Sequence, residues 1–135
     1  MTTKIYIDEN LGGNIIAEGL AMFQNHLNTK EKYQFKVLPI PQSTPDLDWI
    51  PNVGSEGVVI TQDLDIQTTR HERELYKKHG LGMFFFKAPK KGYSFWEMVL
   101  RIFNKWDEIK RKSRTTSKPF AYRITGKGKF ELWDD

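Results

Sequence analysis

The chain has 135 residues, 28% of them charged and 39% apolar, a composition typical of one globular domain with a sizeable core. It contains no cysteine, which excludes disulfides and thiolate chemistry, and no apolar run approaches the roughly 20 residues that span a bilayer. We therefore expect a cytoplasmic protein with no signal peptide and no membrane partner. Residues 101–135 hold 10 basic and 5 acidic residues, a net +5, which favours nucleic acid as partner but also fits a solvated helix face.

The apolar pattern predicts strands that alternate with helices. Strands are expected at residues 4–8, 33–37, 57–61 and 83–86, and helices at about 12–28, 45–54, 70–79 and 94–112. Ser94 and Glu97 have capping-box spacing, and Gly80 can end the third helix. The core face of the fourth helix is predicted to comprise Phe95, Val99, Ile102, Trp106 and Ile109, widened by Trp96 and Phe103.

The order of these segments predicts an α/β fold with three layers, α/β/α, around a mainly parallel four-stranded sheet. Residues 1–112 would form this domain. Residues 113–135 would add a polar linker and a C-terminal β-hairpin, with strands near 120–124 and 130–133, packed on the same domain. Right-handed crossovers would bring the ends of the first and third strands to one edge of the sheet.

Acidic residues follow two of these strands. Asp8 ends the first strand, and Asp63 and Asp65 come directly after the third, where open α/β sheets bind ligands. Carboxylates that converge repel one another unless a cation lies among them, and oxygen ligands favour Mg²⁺ or Mn²⁺. Metal-dependent hydrolysis of phosphodiesters is the chemistry that fits such a cluster.

Each of these acids also has a structural explanation. Asp8 could cap the following helix, and Asp63 and Asp65 could form an Asx turn. Asp48, beside Trp49 on the short second helix, is our choice for the acid that completes the cluster. It could equally offset the dipole of that helix.

Two motifs resemble those of the PIN-like nucleases. They are Tyr6-Ile7-Asp8-Glu9-Asn10-Leu11 and Val59-Ile60-Thr61-Gln62-Asp63-Leu64-Asp65. The likeness is to the minimal bacterial branch, akin to VapC-type toxins, and residues 45–51, 83–86 and 118–124 are also similar to that branch. Larger members carry a further acid on a longer helical insert, where this chain has only residues 45–54.

The resemblance implies a ribonuclease dependent on Mg²⁺ or Mn²⁺ and acting through acids that here are Asp8, Asp48, Asp63 and Asp65. Asp8, Asp63 and Asp65 would be the metal ligands. It also implies a toxin with a cognate antitoxin as partner, and it is compatible with a homodimer. Contacts to the RNA backbone would come from basic residues, which we assign as Arg70, Arg111, Lys112 and Arg114.

Two other functions remain open. The same scaffold could serve as a protein-interaction module that has lost catalysis. Alternatively, the acids and Lys87, which follows the fourth strand, imitate a receiver-like domain that accepts a phosphoryl group on Asp63.

Overall fold

The computed structural model describes residues 2–8, 11, 13–40, 46–54, 57–62 and 70–133, with only the backbone of Asp46, Leu47 and His71. The strands are β1 (Thr2–Ile7), β2 (Gln34–Pro39), β3 (Gly57–Thr61), β4 (Gly82–Phe86), β5 (Phe120–Ile124) and β6 (Phe130–Leu132). The helices are α1 (Gly13–Leu27), α2 (Asp46–Val53), α3 (Arg70–Lys78) and α4 (Phe95–Thr115).

The described strands form one six-stranded sheet in the order β2-β1-β3-β4-β5-β6. β1 to β5 are parallel, and only β6 runs antiparallel to its neighbour. We call the edge where the parallel strands begin the amino edge, and the edge where they end the carboxyl edge. The α/β class and the hairpin are confirmed. The hairpin does not sit beside a four-stranded sheet, however, because β5 pairs with β4 and extends the sheet.

Helices cover both faces of the sheet and complete the three layers. On one face, α1 and α4 pack over the side chains of Ile5, Ile60 and Phe84. On the other face, Trp49 and Ile50 of α2 and Tyr76 of α3 pack over Val59, Met83 and Phe85. β3 and β4 are buried on both faces, which is why their sequences are apolar without alternation.

The ends of two helices follow from their sequences. At the start of α4, the Ser94 hydroxyl accepts from the backbone N–H of Glu97, and the Glu97 carboxylate accepts from that of Ser94, so the expected capping box is confirmed. Gly80, two residues after the last residue of α3, has a φ of +73° and terminates the helix. The backbone N–H groups of Gly80 and Leu81 donate to the carbonyls of Lys77 and Tyr76, the pattern of a Schellman motif.

The core face of α4 differs from the prediction at its beginning. Phe95 and Trp96 are 41% and 71% exposed, and Phe103 is 36% exposed. The buried face consists of Met98, Ile102, Trp106, Ile109, Lys110 and Ser113. Among the described helices, none combines the length and apolar sequence needed to cross a membrane.

Candidate functional site

The candidate site begins with Asp8 at the carboxyl edge of the sheet. β1 and β3 are in register from Lys4 opposite Gly57 to Ile7 opposite Ile60. The Asp8 N–H continues this ladder by donating to the Ile60 carbonyl at 3.0 Å, which places Asp8 beside Thr61. The ends of the first and third strands are thus neighbours at one edge, as expected.

A buried hydrogen bond joins these two strand ends. The Thr61 hydroxyl donates to Oδ2 of Asp8 at 2.8 Å. Asp8 is only 8% exposed and Thr61 is fully buried. A hydrogen bond to an ionised acceptor is among the stronger kinds, so Thr61 fixes the orientation of the Asp8 carboxylate.

The face on which this pair lies follows from strand alternation. Ile5 and Ile7 point toward α1 and α4, and Tyr6 points toward α2 and α3. Because successive side chains alternate, Asp8 lies on the face of α2 and α3. Both of these helices begin at the carboxyl edge, so the acids in their first turns lie at the same edge of the sheet as Asp8.

Asp48 is one of these acids. It lies in the first turn of α2 and is exposed, while the next two residues, Trp49 and Ile50, are buried and anchor the helix. The structure places Asp48 at the correct edge without bringing it into a described group of acids that could hold a metal. Its assignment to the catalytic set stays a prediction.

Glu72 is a further acid at the carboxyl edge. It lies in the first turn of α3 and is half-buried. The spacing of Thr69 and Glu72 predicts a capping box at the start of this helix, with a role in the site as the alternative. Thr69 lies outside the described residues, so the capping box stays a prediction.

Asp63 and Asp65 lie outside the described residues, as do Glu9 and Asn10. Within the described ranges, no three His, Cys, Asp or Glu side chains form a group that could hold a metal ion. Asp8 contributes a buried carboxylate. Asn14 lies in the first turn of α1, and its buried Oδ1 has no hydrogen-bond partner in the described part of the chain. Carboxylate and amide oxygens are donors that suit Mg²⁺ or Mn²⁺, so the donors present fit such an ion in kind.

The basic residues assigned to nucleic acid divide between the two edges. Arg70 begins α3 at the carboxyl edge and is exposed. Its Nε donates to Glu74 at 2.9 Å, and this hydrogen bond raises the pKa of Arg70. Arg111, Lys112 and Arg114 lie in the last turns of α4, which ends at the amino edge because β5 starts there. The structure therefore places these three residues at the opposite edge of the sheet from Asp8.

A protein-family model described as a PIN like domain matches residues 3–88, which is 86 of the 135 residues. The matched range covers β1 to β4 and ends before α4. No curated protein and no solved structure matches the chain. The match favours a PIN-like over a receiver-like interpretation of the acids.

Proposed function

Because the chain belongs to the PIN-like domain family, whose members are generally nucleases, we propose that it is a ribonuclease that hydrolyses RNA with Mg²⁺ or Mn²⁺. The observation that carries this proposal is the buried Asp8 at the carboxyl end of β1, tied by hydrogen bond to Thr61 at the end of β3. An acid buried at a strand end is costly unless it is hydrogen-bonded or holds a cation.

The acids at this edge would divide between metal binding and the positioning of water. Asp8, Asp63 and Asp65 would hold the ion, and Asp48 would complete its shell or position the attacking water. A bound Mg²⁺ or Mn²⁺ would supply Lewis-acid activation of water and charge compensation at the phosphate. The role of Thr61 is to keep the Asp8 carboxylate in one orientation.

The test replaces Asp8→Asn, which keeps the size of the side chain and removes its charge. We expect Mn²⁺-dependent cleavage of a labelled single-stranded RNA to fall by at least about 100-fold. Asp107→Asn is the matched control, because Asp107 is 94% exposed on α4 and should leave cleavage unchanged. Cleavage by Asp8→Asn at the rate of the unmodified chain would refute the assignment.

A catalytically inactive protein-interaction module is the second candidate. It would use the same scaffold without a complete cluster of acids at the carboxyl edge. Isothermal titration calorimetry with Mn²⁺ separates the two functions, because a nuclease must bind the ion and lose that binding in Asp8→Asn. A chain that binds no Mn²⁺ and cleaves no RNA would be the interaction module.

The proposal of a homodimer is based on an apolar surface formed by α1 and α4. Ile15, Met22 and Phe23 on α1 are each more than half exposed, as are Trp96 and Leu100 on α4. The rings of Phe23 and Phe103 meet edge to face at 5.5 Å and join the two helices at this surface. Large exposed apolar patches mark protein–protein interaction sites. We assign a second copy of this chain as the occupant of this surface.

Light scattering after gel filtration tests the homodimer. Met22→Glu should give the mass of a monomer where the unmodified chain gives a dimer. Leu132→Glu, at an exposed apolar residue on β6, should stay dimeric. A monomeric unmodified chain would exclude this assignment.

The toxin role and its antitoxin partner rest on the likeness to VapC-type toxins. Expression of the unmodified chain in the cytoplasm should arrest bacterial growth, and Asp8→Asn should not. Growth that is equally unaffected by both chains would exclude the toxin role.

A further inference from the structure

We propose that a basic groove between α4 and the β5–β6 turn binds the phosphodiester backbone of single-stranded nucleic acid and leads it to the Asp8 edge. The proposal rests on the proposed function for the identity of the substrate. The groove lies entirely within residues 97–128, beyond the part of the chain that matches the family model.

The groove is a cavity of about 560 Å³ with a cationic lining. Arg101 and Lys105 line it from α4, and Lys127 lines it from the turn, whereas Glu97 is the only acid among the lining residues. Gly126 and Gly128 form part of the opposite wall, so no side chain from these positions blocks the approach of a ligand to the turn.

The structure holds one of the three cations in place. Arg101 donates to the Gly126 carbonyl and lies over the Tyr93 ring at 5.0 Å. Arg101 is therefore positioned before a ligand arrives, which lowers the entropic cost of binding. Lys105 lies against Gly128, where a Cβ would be 2.8 Å from the Lys105 ammonium nitrogen, so the lysine occupies space that a larger residue at this position would fill.

The single acid of the lining is already engaged. The Glu97 carboxylate accepts from the Ser94 N–H at 2.9 Å in the capping box, and this hydrogen bond lowers the pKa of Glu97. Three cations against one acid leave the groove with a net positive charge, which suits a chain of phosphates.

The groove opens at the edge that carries the candidate site. The turn follows the end of β5, and β4 and β3 lie between β5 and β1, the strand that leads into Asp8. Three steps between neighbouring strands amount to about 14 Å. Lys87 lies on this path at the end of β4, where its backbone N–H donates to the Ile124 carbonyl, and its side chain is exposed. Because α4 and Asp8 lie on opposite faces of the sheet, a strand that leaves the groove would pass over the carboxyl edge to reach Asp8.

The basic residues at the end of α4 offer a weaker site. The Arg114 guanidinium stacks on the Tyr33 ring at 3.8 Å, and Lys112 lies over the Tyr122 ring at 4.7 Å. Lys112 and Arg111 both approach Glu108 at 3.8 Å. These groups lie at the amino edge, so a strand bound there would be held away from Asp8.

Fluorescence anisotropy with labelled single-stranded RNA and DNA of mixed sequence tests the groove, in EDTA so that no cleavage occurs. The triple variant R101A/K105A/K127A should lose roughly tenfold in affinity, with a salt dependence less steep by about 2 in log–log slope. The matched control K30A/K32A/K36A also removes three cations, from exposed positions on or near β2 at the other end of the sheet, and should stay within twofold. The single variant Lys127→Glu, in an exposed turn, should also weaken binding and does not disturb the core.

Similar losses of affinity for RNA and for DNA in the groove variants support recognition of phosphates. A loss of affinity confined to one of the two nucleic acids overturns the proposal. The proposal is also overturned if neither oligonucleotide binds, or if the control loses as much affinity as the triple variant. If the groove variants weaken binding but no metal-dependent cleavage is found, the groove stands and the proposed nuclease function fails.

Discussion

At the scale of single residues, the contact between Thr61 and Asp8 links the strand order to the candidate chemistry. Thr61 is fully buried at the centre of the sheet, where a hydroxyl is retained only with a hydrogen-bond partner. It donates to a carboxylate that must stay oriented if it is to hold an ion. Thr61 is thus a positioning residue for Asp8.

We predict that Thr61→Val, which keeps the shape of the side chain and removes its hydroxyl, weakens Mn²⁺ binding by about tenfold. It should also cost about 1–2 kcal/mol in the free energy of unfolding, because the carboxylate loses one donor. Calorimetry with Mn²⁺ and urea denaturation measure the two effects. Thr115→Val, at an exposed threonine of α4, is the control. An unchanged affinity for Mn²⁺ would mean that Thr61 only fills space.

The sequence could indicate that Asp8 lies near the end of the third strand, but not the register that places Asp8 beside Thr61. The strand that ends in Asp8 is visible as a short apolar run, whereas the register of β1 against β3 depends on residues more than 50 positions apart. Asp48 shows the same limit. The helix that carries Asp48 was predicted from local sequence signals, and such signals do not determine whether Asp48 reaches the site.

At the scale of elements, α4 is attached to α1 through a buried polar cluster. Gln24 is fully buried, and its Oε1 accepts from Nε1 of Trp106 at 3.0 Å and from Nζ of Lys110 at 3.1 Å. The Lys110 ammonium also donates to Glu31 at 2.8 Å. The buried charge of Lys110 is compensated, so removing one partner should be costly.

We predict that Lys110→Met lowers the free energy of unfolding at pH 7 by about 2 kcal/mol. Lys36→Met, at an exposed lysine of β2, should change it by less than about 0.5 kcal/mol. Urea denaturation followed by circular dichroism measures both. Equal stability of the two variants would show that the cluster contributes only to packing.

The same cluster predicts a pH dependence. The hydrogen bond from Lys110 lowers the pKa of Glu31 from its ordinary value of 4.5. Since a depressed carboxyl pKa stabilises the folded state only while the group is ionised, this contribution is present above pH 4.5 and is lost as the pH falls through the lowered pKa. Between pH 5 and 3 the unmodified chain should lose more stability than Lys110→Met. Parallel losses in the two chains would contradict this linkage.

The wrong assignment on α4 has a geometric cause. A helix of 21 residues is about 31 Å long, whereas a strand of five residues spans about 16 Å, so the helix extends beyond the sheet. Phe95 and Trp96 lie in its first turn, before Met98, which is the first buried residue of the helix. Sequence periodicity identified the helix, but it carries no information about where the sheet beneath it ends.

At the scale of the whole molecule, the sheet unites the family-matched region with the segment that follows it. β5 pairs with β4, and Gly82 leaves room for the Phe120 ring, with which a Cβ at Gly82 would overlap. Ile102 and Ile109 of α4 belong to the same core cluster as Ile5 and Ile60. The hairpin signal in the sequence is local, so it predicted β5 and β6 but not the strand beside which they lie.

We predict that a chain ending at Lys87 does not fold cooperatively, because it lacks α4 and exposes one side of β4. Thermal unfolding followed by near-ultraviolet circular dichroism should show no transition. A chain ending at Thr125 keeps α4 and β5 and should unfold cooperatively at a lower temperature than the full chain. A sharp transition in the shorter chain would show that residues 88–133 are dispensable for the core.

The position of β4 also bears on how the protein is made. During synthesis the apolar strand Gly82–Phe86 emerges after β3 but before β5, its second neighbour in the sheet, and α4 must be completed before β5 appears. Until then the nascent chain presents an unpaired strand edge with three consecutive phenylalanines, a strong target for chaperones and for aggregation. Because the groove is lined by α4 and the β5–β6 turn, it forms only after residues 95–128 have been translated.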